Sequence, residues 1–376
     1  ETGRELWRYR VGGAVDSPPT FHRGRLIFGC ADGWVYCLRA TDGALAWKFR
    51  AAPESRFVVD RGNVESAWPV RGSVLVRKGT VYFAAGRSSY LDGGMFLYGL
   101  DPDTGEKVFR RRVYGRDPET GLEPQKQVHG LDMPGALPAI LSARGDSIFM
   151  RHRRFGLQGG DKKQNVPHLY SSVGFLDDEW WHRTYWVIGT GTGSGFGGWR
   201  NPGNSVPSGR LLVRDGPQVY GFGRNAYQAH GTGGGSHPGL GGMHYKLFAA
   251  TTKGKRQWSR RLPFWVRAMV LSENGHLFAA GPPVPPYLHG DNSNKRRMSR
   301  GGWYGEHYLT TSQPREAMKA WRGEKGSRLW SISTENGDRL ESLRLDSNPV
   351  FDGMAAAGGA LYLCTEEGAV ICFRGK

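Results

Sequence analysis

The residues of this 376-residue chain that could bind a ligand or move a proton sit in a few polar stretches. Arg87-Ser88-Ser89-Tyr90-Leu91-Asp92-Gly93-Gly94 sets a guanidinium and a carboxylate five residues apart. Arg87 and Asp92 can face a ligand, or pair with each other and order their own loop. His129 and Asp132 have the types of an acid–base or metal-binding pair, and equally of a loop-ordering hydrogen bond. Arg296 and Arg297, beside Lys295 and Arg300, run into Trp303, Tyr304 and His307. Cations interleaved with rings suit phosphate or sulfate groups, and an insertion that docks a partner has the same composition. Arg267 and Asp352 each begin an expected innermost strand, where they would line a central channel.

Other polar stretches point to less chemistry. His230, His237 and His244 recur every seven residues, but no metal site is predicted from them. GTGGGSHPGLGG lacks the Gly-Lys-Ser/Thr that would make it a phosphate loop. Trp180–Trp186 is rich in rings that could stack on sugars or bases, yet its place at an expected c–d turn favours packing between blades. Cys30 and Cys37, like Cys364 and Cys372, lie on successive strands of a hairpin. Two-residue turns would set Cys30 opposite Val35 and Phe28 opposite Cys37. No cross-bond follows, the spacing does not suit zinc, and buried free thiols are expected.

The elements that position these residues come from a repeat. In 14–53 a short strand is followed by His22-Arg23-Gly24, a second strand by Ala31-Asp32-Gly33, a third by Thr41-Asp42-Gly43, and a fourth ends near Arg50. Short runs rich in Val, Trp, Tyr and Phe between glycine turns read as strands. Four in succession make the antiparallel meander of a propeller blade. The pattern predicts an all-β chain forming one β-propeller domain over 1–376. Six four-stranded blades are recognisable, at 14–53, 66–115, 135–190, 208–262, 264–346 and 348–376, the last completed by residues 1–12. Long helices are not expected.

An aromatic recurs four residues after a turn glycine, as Trp7, Trp47, Phe109 and Trp258. Each is expected to dock on the neighbouring blade, burying about 200 Å². Trp7 thereby marks residues 1–12 as an outer strand. Either that strand closes a six-bladed ring and leaves no free edge, or the chain is part of a larger propeller. A start in mid-repeat without Met and without a signal peptide suits a processed or trimmed chain.

Loop lengths point to one end of the fold. The a–b and c–d turns are short, whereas the long stretches 51–65, 114–134, 153–167, 189–207, 223–242 and 281–319 are b–c loops or d–a links. In an antiparallel meander these emerge together, so one face carries all the elaboration. The net charge of +17 favours acidic partners, or reflects a basic surface in general. No window of about 18 apolar residues is present to span a membrane.

The turn–Gly–x–x–x–Trp string resembles the docking motif of PQQ-like repeats, found in quinoprotein dehydrogenases and in the outer-membrane barrel-assembly lipoprotein. VDSPPTFHRGRLIFGCADGWVYCLRATDGALAWKFRAAP, ESAWPVRGSVLV, AAGRSSYLDGG, GFLDDEWWHRTYW, RAMVL and VFDGMAAAGGALYL more specifically resemble the C-terminal propeller of planctomycete-type PQQ-binding-like repeat proteins. The resemblance implies an eight-bladed parent and an exported, periplasmic or cell-envelope location, and supplies no function. Quinoprotein dehydrogenases stack their cofactor on a vicinal disulfide and bind calcium through Glu, Asn and Asp. This chain has no Cys-Cys dipeptide and no ligand set that can be matched, so neither PQQ nor calcium is expected.

The reading favours a non-catalytic binding scaffold, monomeric, that offers its long loops to a protein partner. An enzyme or binder acting on an anionic polysaccharide is the alternative, and nucleic-acid binding comes third. A PQQ-dependent dehydrogenase is disfavoured, and no catalytic residue is assigned.

Overall fold

A computed structural model describes residues 5–60, 62–117, 119–122, 136, 140–151, 153–163, 166–171, 186–190, 207–224, 245–284 and 314–375. The chain divides into two compact units. One comprises Glu1–Leu176 with Val187–Pro202, and the other Asp177–Trp186 with Gly203–Lys376.

In the first unit, β1 (Thr20–His22), β2 (Arg25–Gly29), β3 (Trp34–Arg39) and β4 (Leu45–Arg50) form an antiparallel meander. A hairpin of β5 (Phe57–Asp60) and β6 (Asn63–Ser66) follows. The second meander is β7 (Leu75–Arg77), β8 (Thr80–Ala85), β9 (Met95–Leu100) and β10 (Lys107–Val113). Burial follows strand position. TVYFAA and MFLYGL, the two middle strands, are almost wholly buried, whereas the outer KVFRRRV is largely exposed. A middle strand covered on both faces reads as a continuous apolar run, and an outer strand can keep its arginines in water. Ile27, Val35, Val81, Phe83 and Tyr98 fill one core between the two meanders.

The segment 135–190, read from sequence as one blade, contains two sheets. SIFMRHRRFG does not run as one strand. Arg151 takes a left-handed φ of 53° and turns the chain back, so that β12 (Ser147–Met150) pairs with β13 (Arg153–Gly156) beside β11 (Ser142–Arg144). A further sheet contains β14 (His168–Ser171) and β15 (Trp186–Gly189). The expected long loop 153–167 therefore begins as a strand.

In the second unit, β16 (Ser208–Gly209) precedes the meander β17 (Leu211–Asp215), β18 (Gln218–Arg224), β19 (Tyr245–Thr251) and β20 (Arg256–Arg260). The next has β21 (Ala268–Leu271), β22 (His276–Gly281), β23 (Ser327–Ser333) and β24 (Arg339–Leu345), with α1 (Pro314–Trp321) in its b–c connection. The last sheet has three strands, β25 (Pro349–Ala357), β26 (Ala360–Thr365) and β27 (Val370–Arg374). Leu211, Phe222, Leu247, Trp258, Phe264 and Ile332 lie in the core of this unit. Among the described residues α1 is the one helix, and no helix is long and apolar enough to cross a membrane.

Two local expectations are corrected. Gly33 takes φ +86°, and the loop it closes has three residues, Ala31 to Gly33, bracketed by the Cys30 N–H donating to Trp34 O at 3.0 Å. A left-handed glycine after a turn lengthens a hairpin loop in this way. The register shifts by one, pairing Ile27 with Cys37 and Gly29 with Val35. All four thiols are still free. Burial pushes the Cys30 thiol up to about 12 and that of Cys37 to about 11, whereas Cys372 is exposed. Residues 5–11 were expected to form the outer strand of the last blade, but they carry no strand. Trp7 instead holds this segment through its indole, against Ala40 and Gly43, and Leu6 stays 81% exposed.

Candidate functional site

The repeated aromatics share one seat. The Trp47 ring lies on the c–d turn of the next meander, where a Cβ at Gly105 would come within 2.7 Å of it, and its Nε1 donates to Pro102 O at 3.0 Å. Trp258 lies likewise on Gly337, where the gap to a Cβ would be 2.6 Å, and donates to Thr334 O at 2.9 Å. Phe109 lies on Gly159 without a donor, and Trp7 lies on Gly43 with its Nε1 donating to Ala40 O at 3.0 Å. Gly105 and Gly337 adopt φ near +75°. The seat therefore needs glycine twice, for the backbone conformation and for the close approach of the ring.

The a–b turns are tight. His22 pairs with Arg25, Arg77 with Thr80, Arg144 with Ser147 and Asp215 with Gln218, with two residues between the partners in each case. Within each meander the b–c and d–a connections leave from the opposite end, and the polar clusters form there.

In the first unit Arg87 and Asp92 are brought together. Arg87 donates from Nε at 3.0 Å and from a terminal nitrogen at 2.6 Å to Asp92 Oδ2. Arg56, from the β4–β5 link, donates to Oδ1 at 2.6 Å and lies over Trp68 with 4.7 Å to the ring centroid. Asp92 takes φ +56°, which the following Gly93 and Gly94, both at positive φ, help to accommodate. Both oxygens of this carboxylate are occupied, and Arg56 also lies 3.9 Å from Glu54.

A second cluster beside it escaped the sequence reading. Arg71 reaches Asp60 at 2.8 Å, Asp16 at 3.7 Å and Glu65, which is 3% exposed. It pins the β5–β6 hairpin by its inner face. Val70-Arg71 stands before its inner strand as Val266-Arg267 stands before β21, and that parallel could have revealed it.

In the second unit Arg267 is 8% exposed, lies over Trp321 with 5.2 Å to the ring centroid, and donates to Glu366 Oε1 at 2.8 Å. Asn348 Nδ2 donates to the other carboxylate oxygen at 3.1 Å and to Trp321 O at 2.9 Å. Glu366 and Asn348 were not foreseen, because their partners are 99 and 27 residues away. The structure places Asp352 next to Arg267, its N–H donating to Arg267 O at 2.8 Å. Asp352 sits in a wide bulge of β25, where Pro349 pairs with Thr365 and Met354 with Leu363, and its φ is +56°. Bulges re-aim side chains in this way. Desolvation by the surrounding protein pushes its carboxyl up to about 6, although the residue as a whole keeps access to solvent. Arg210, buried at 1%, lies over Phe351 at 5.6 Å from the ring centroid.

His129, Asp132, Arg296, Arg297, Trp303, Tyr304 and His307 lie outside the described residues, as do His230, His237, His244 and the Trp180–Tyr185 stretch. Among the described residues no group of three or more His, Cys, Asp or Glu is arranged to hold a metal ion.

Residues 1–130 match the family described as outer membrane protein assembly factor BamB. Among solved structures, the chain resembles BamB from Moraxella catarrhalis at 10% identity and a TM-score of 0.49, over 99% of this chain and 86% of that one. It also resembles quinohemoprotein alcohol dehydrogenases from Pseudomonas putida HK5 and Comamonas testosteroni. Each is 12% identical, with TM-scores of 0.40 and 0.41 over 96% of this chain, which spans 57% of either enzyme. No curated protein sequence matches. The family match covers the N-terminal third of the chain, and the fold is all-β, with four-stranded antiparallel meanders repeated as in the blades of a β-propeller.

Proposed function

We propose that the chain is a non-catalytic binding propeller whose loop-bearing end takes a protein partner. The observation that carries this reading is the β5–β6 hairpin. Val59 pairs with Val64 across it, and Phe57 lies two residues along the same face. These three side chains are 74%, 67% and 58% exposed. The other face is anchored by Arg71 through Asp60 and Glu65, and by Val58 on the core. An apolar stripe held rigidly in water suits a contact surface. Covering it contributes roughly 1.5–3 kcal/mol for each side chain fully buried. The +17 charge favours an acidic partner. The match of residues 1–130 to the BamB-described family supports an envelope-facing role of this kind. The polar candidates nearby are already engaged with one another, Asp92 with two arginines, which suits a rigid platform better than a reacting site.

A photo-crosslinking side chain at Val59 tests the reading in cells that express the chain. It should trap one discrete adduct, which Val64→Lys abolishes without lowering the melting temperature. The same probe at Leu122, 67% exposed and in the connection after β10 rather than in the hairpin, is the control. Equal adducts at both positions would overturn the assignment.

A further inference from the structure

Directly opposed like charges destabilise a strand pair, and two opposed arginine pairs among the described residues are treated differently. Arg25 faces Arg39 across β2 and β3, and each has its own carboxylate. Arg25 pairs with Asp103, and Arg39 with Asp42 through bonds of 2.9 and 2.5 Å. Arg328 faces Arg344 across β23 and β24. Both are exposed, and among the described residues neither has a hydrogen bond or an ion pair.

The same end of the meander gathers more cations. Arg328 is the second residue of β23, Arg344 the last but one of β24, and α1 precedes β23 in the b–c connection. Arg315 and Lys319 lie one turn apart on α1, and Arg322 follows its last residue, its N–H donating to Met318 O at 2.9 Å. With Met318 and Glu324 they line a cleft of about 370 Å³. Glu316 bonds Lys319 at 3.1 Å and Lys325 at 2.8 Å. No carboxylate is within ion-pair distance of Arg315 or Arg322 among the described residues.

We propose that Arg315, Arg322, Arg328 and Arg344, with Lys319, form a docking surface for a sulfated polysaccharide. The surface is rich in arginine, and planar guanidinium forks match oxyanions in two-pronged fashion where lysine acts as a point charge. Sulfate groups bound there would supply the counter-charge that Asp103 and Asp42 supply to the other arginine pair. The ring two residues along β23 from Arg328 is not open to base stacking. Trp330 is covered by Arg339, 5.1 Å from its centroid, and by the edge of Phe264 at 5.2 Å. Proteins that hold single-stranded nucleic acid depend on accessible rings. This surface lies in the second unit and needs neither the hairpin nor a protein partner.

The test is fluorescence anisotropy of the full chain with a size-defined heparin oligosaccharide, its desulfated form, and duplex DNA. The wild-type chain should bind the sulfated glycan and not the desulfated one. Arg328→Gln with Arg344→Gln should weaken binding roughly tenfold, the loss of two such charge contacts. Arg328→Lys with Arg344→Lys should recover part of it. Arg25→Gln with Arg39→Gln makes the same change in net charge and should leave affinity within about twofold, because those two arginines already have their own carboxylates. The first double variant should melt no lower than wild type, since it relieves repulsion. Equal weakening by both Gln pairs would show bulk charge rather than a site and overturn the proposal. Absence of sulfated-glycan binding would overturn it as well. Tighter binding to DNA, lost in the same variants, would reassign the surface to nucleic acid.

Discussion

Replacing Trp47 by Ala removes a ring that joins two meanders. The side chain is 8% exposed. A tryptophan buries about 200 Å², which at about 25 cal/mol per Å² sets an upper limit near 5 kcal/mol. Cavity-forming Trp→Ala changes fall at about 3–5 kcal/mol. Part of the loss is polar, because Pro102 O loses the indole N–H at 3.0 Å, a bond contributing about 1 kcal/mol. Trp47→Phe separates the two effects. Phe109 already fills an equivalent seat on Gly159 without a donor, so the Phe variant should cost only about 1–2 kcal/mol. Trp7 is half-buried, and Trp7→Ala should cost about half as much as Trp47→Ala. Gly105→Ala attacks the same seat from the other side, through a Cβ 2.7 Å from the ring and an unfavourable φ of +74°. The assay is urea denaturation followed by far-UV circular dichroism, with stability differences taken from the midpoint and slope. Trp47→Ala within about 0.5 kcal/mol of wild type would refute the docking argument, since that is the ordinary scatter of surface changes. So would Phe and Ala variants of equal stability.

Two further outcomes are expected. Arg71→Met strands Glu65, whose side chain is 4% exposed, and should destabilise by roughly 2–3 kcal/mol, less than a fully buried pair because Arg71 is itself 24% exposed; adding Glu65→Gln should restore most of this, and a double variant as unstable as the single one would contradict it. The Asp352 carboxyl, raised from its ordinary 3.8 to about 6, binds a proton more tightly in the folded chain than in the unfolded one, so its contribution is present below about pH 4 and is lost as pH rises to about 6; Asp352→Asn should flatten a melting-temperature profile across that window, and an unchanged slope would show that another group titrates there.

The amino-acid sequence alone determined the repeat. Glycine turns bounding runs of six apolar and aromatic residues specify local hairpins, and the aromatic four residues after a turn glycine recurs visibly because each copy does the same packing. Tight a–b turns and long b–c and d–a connections were legible for the same reason, since both depend on residues near in sequence. What depends on distant residues was decided only by the tertiary structure. The turn after Cys30 took three residues because Gly33 entered the left-handed region, a choice between hairpin loops that the composition leaves open. SIFMRHRRFG became two strands through the left-handed turn at Arg151, although no glycine announces it. Arg87 and Asp92 were legible as a pair, but Arg56, 36 residues from Asp92, was not. Glu366 and Asn348 became partners of Arg267 and Trp321 only when sheet edges met. The difference between the Arg25–Arg39 and Arg328–Arg344 pairs has the same origin. Each pair reads alike in sequence, and one is relieved because the chain brings Asp103 to Arg25 from 78 residues away, while among the described residues the other meets no carboxylate.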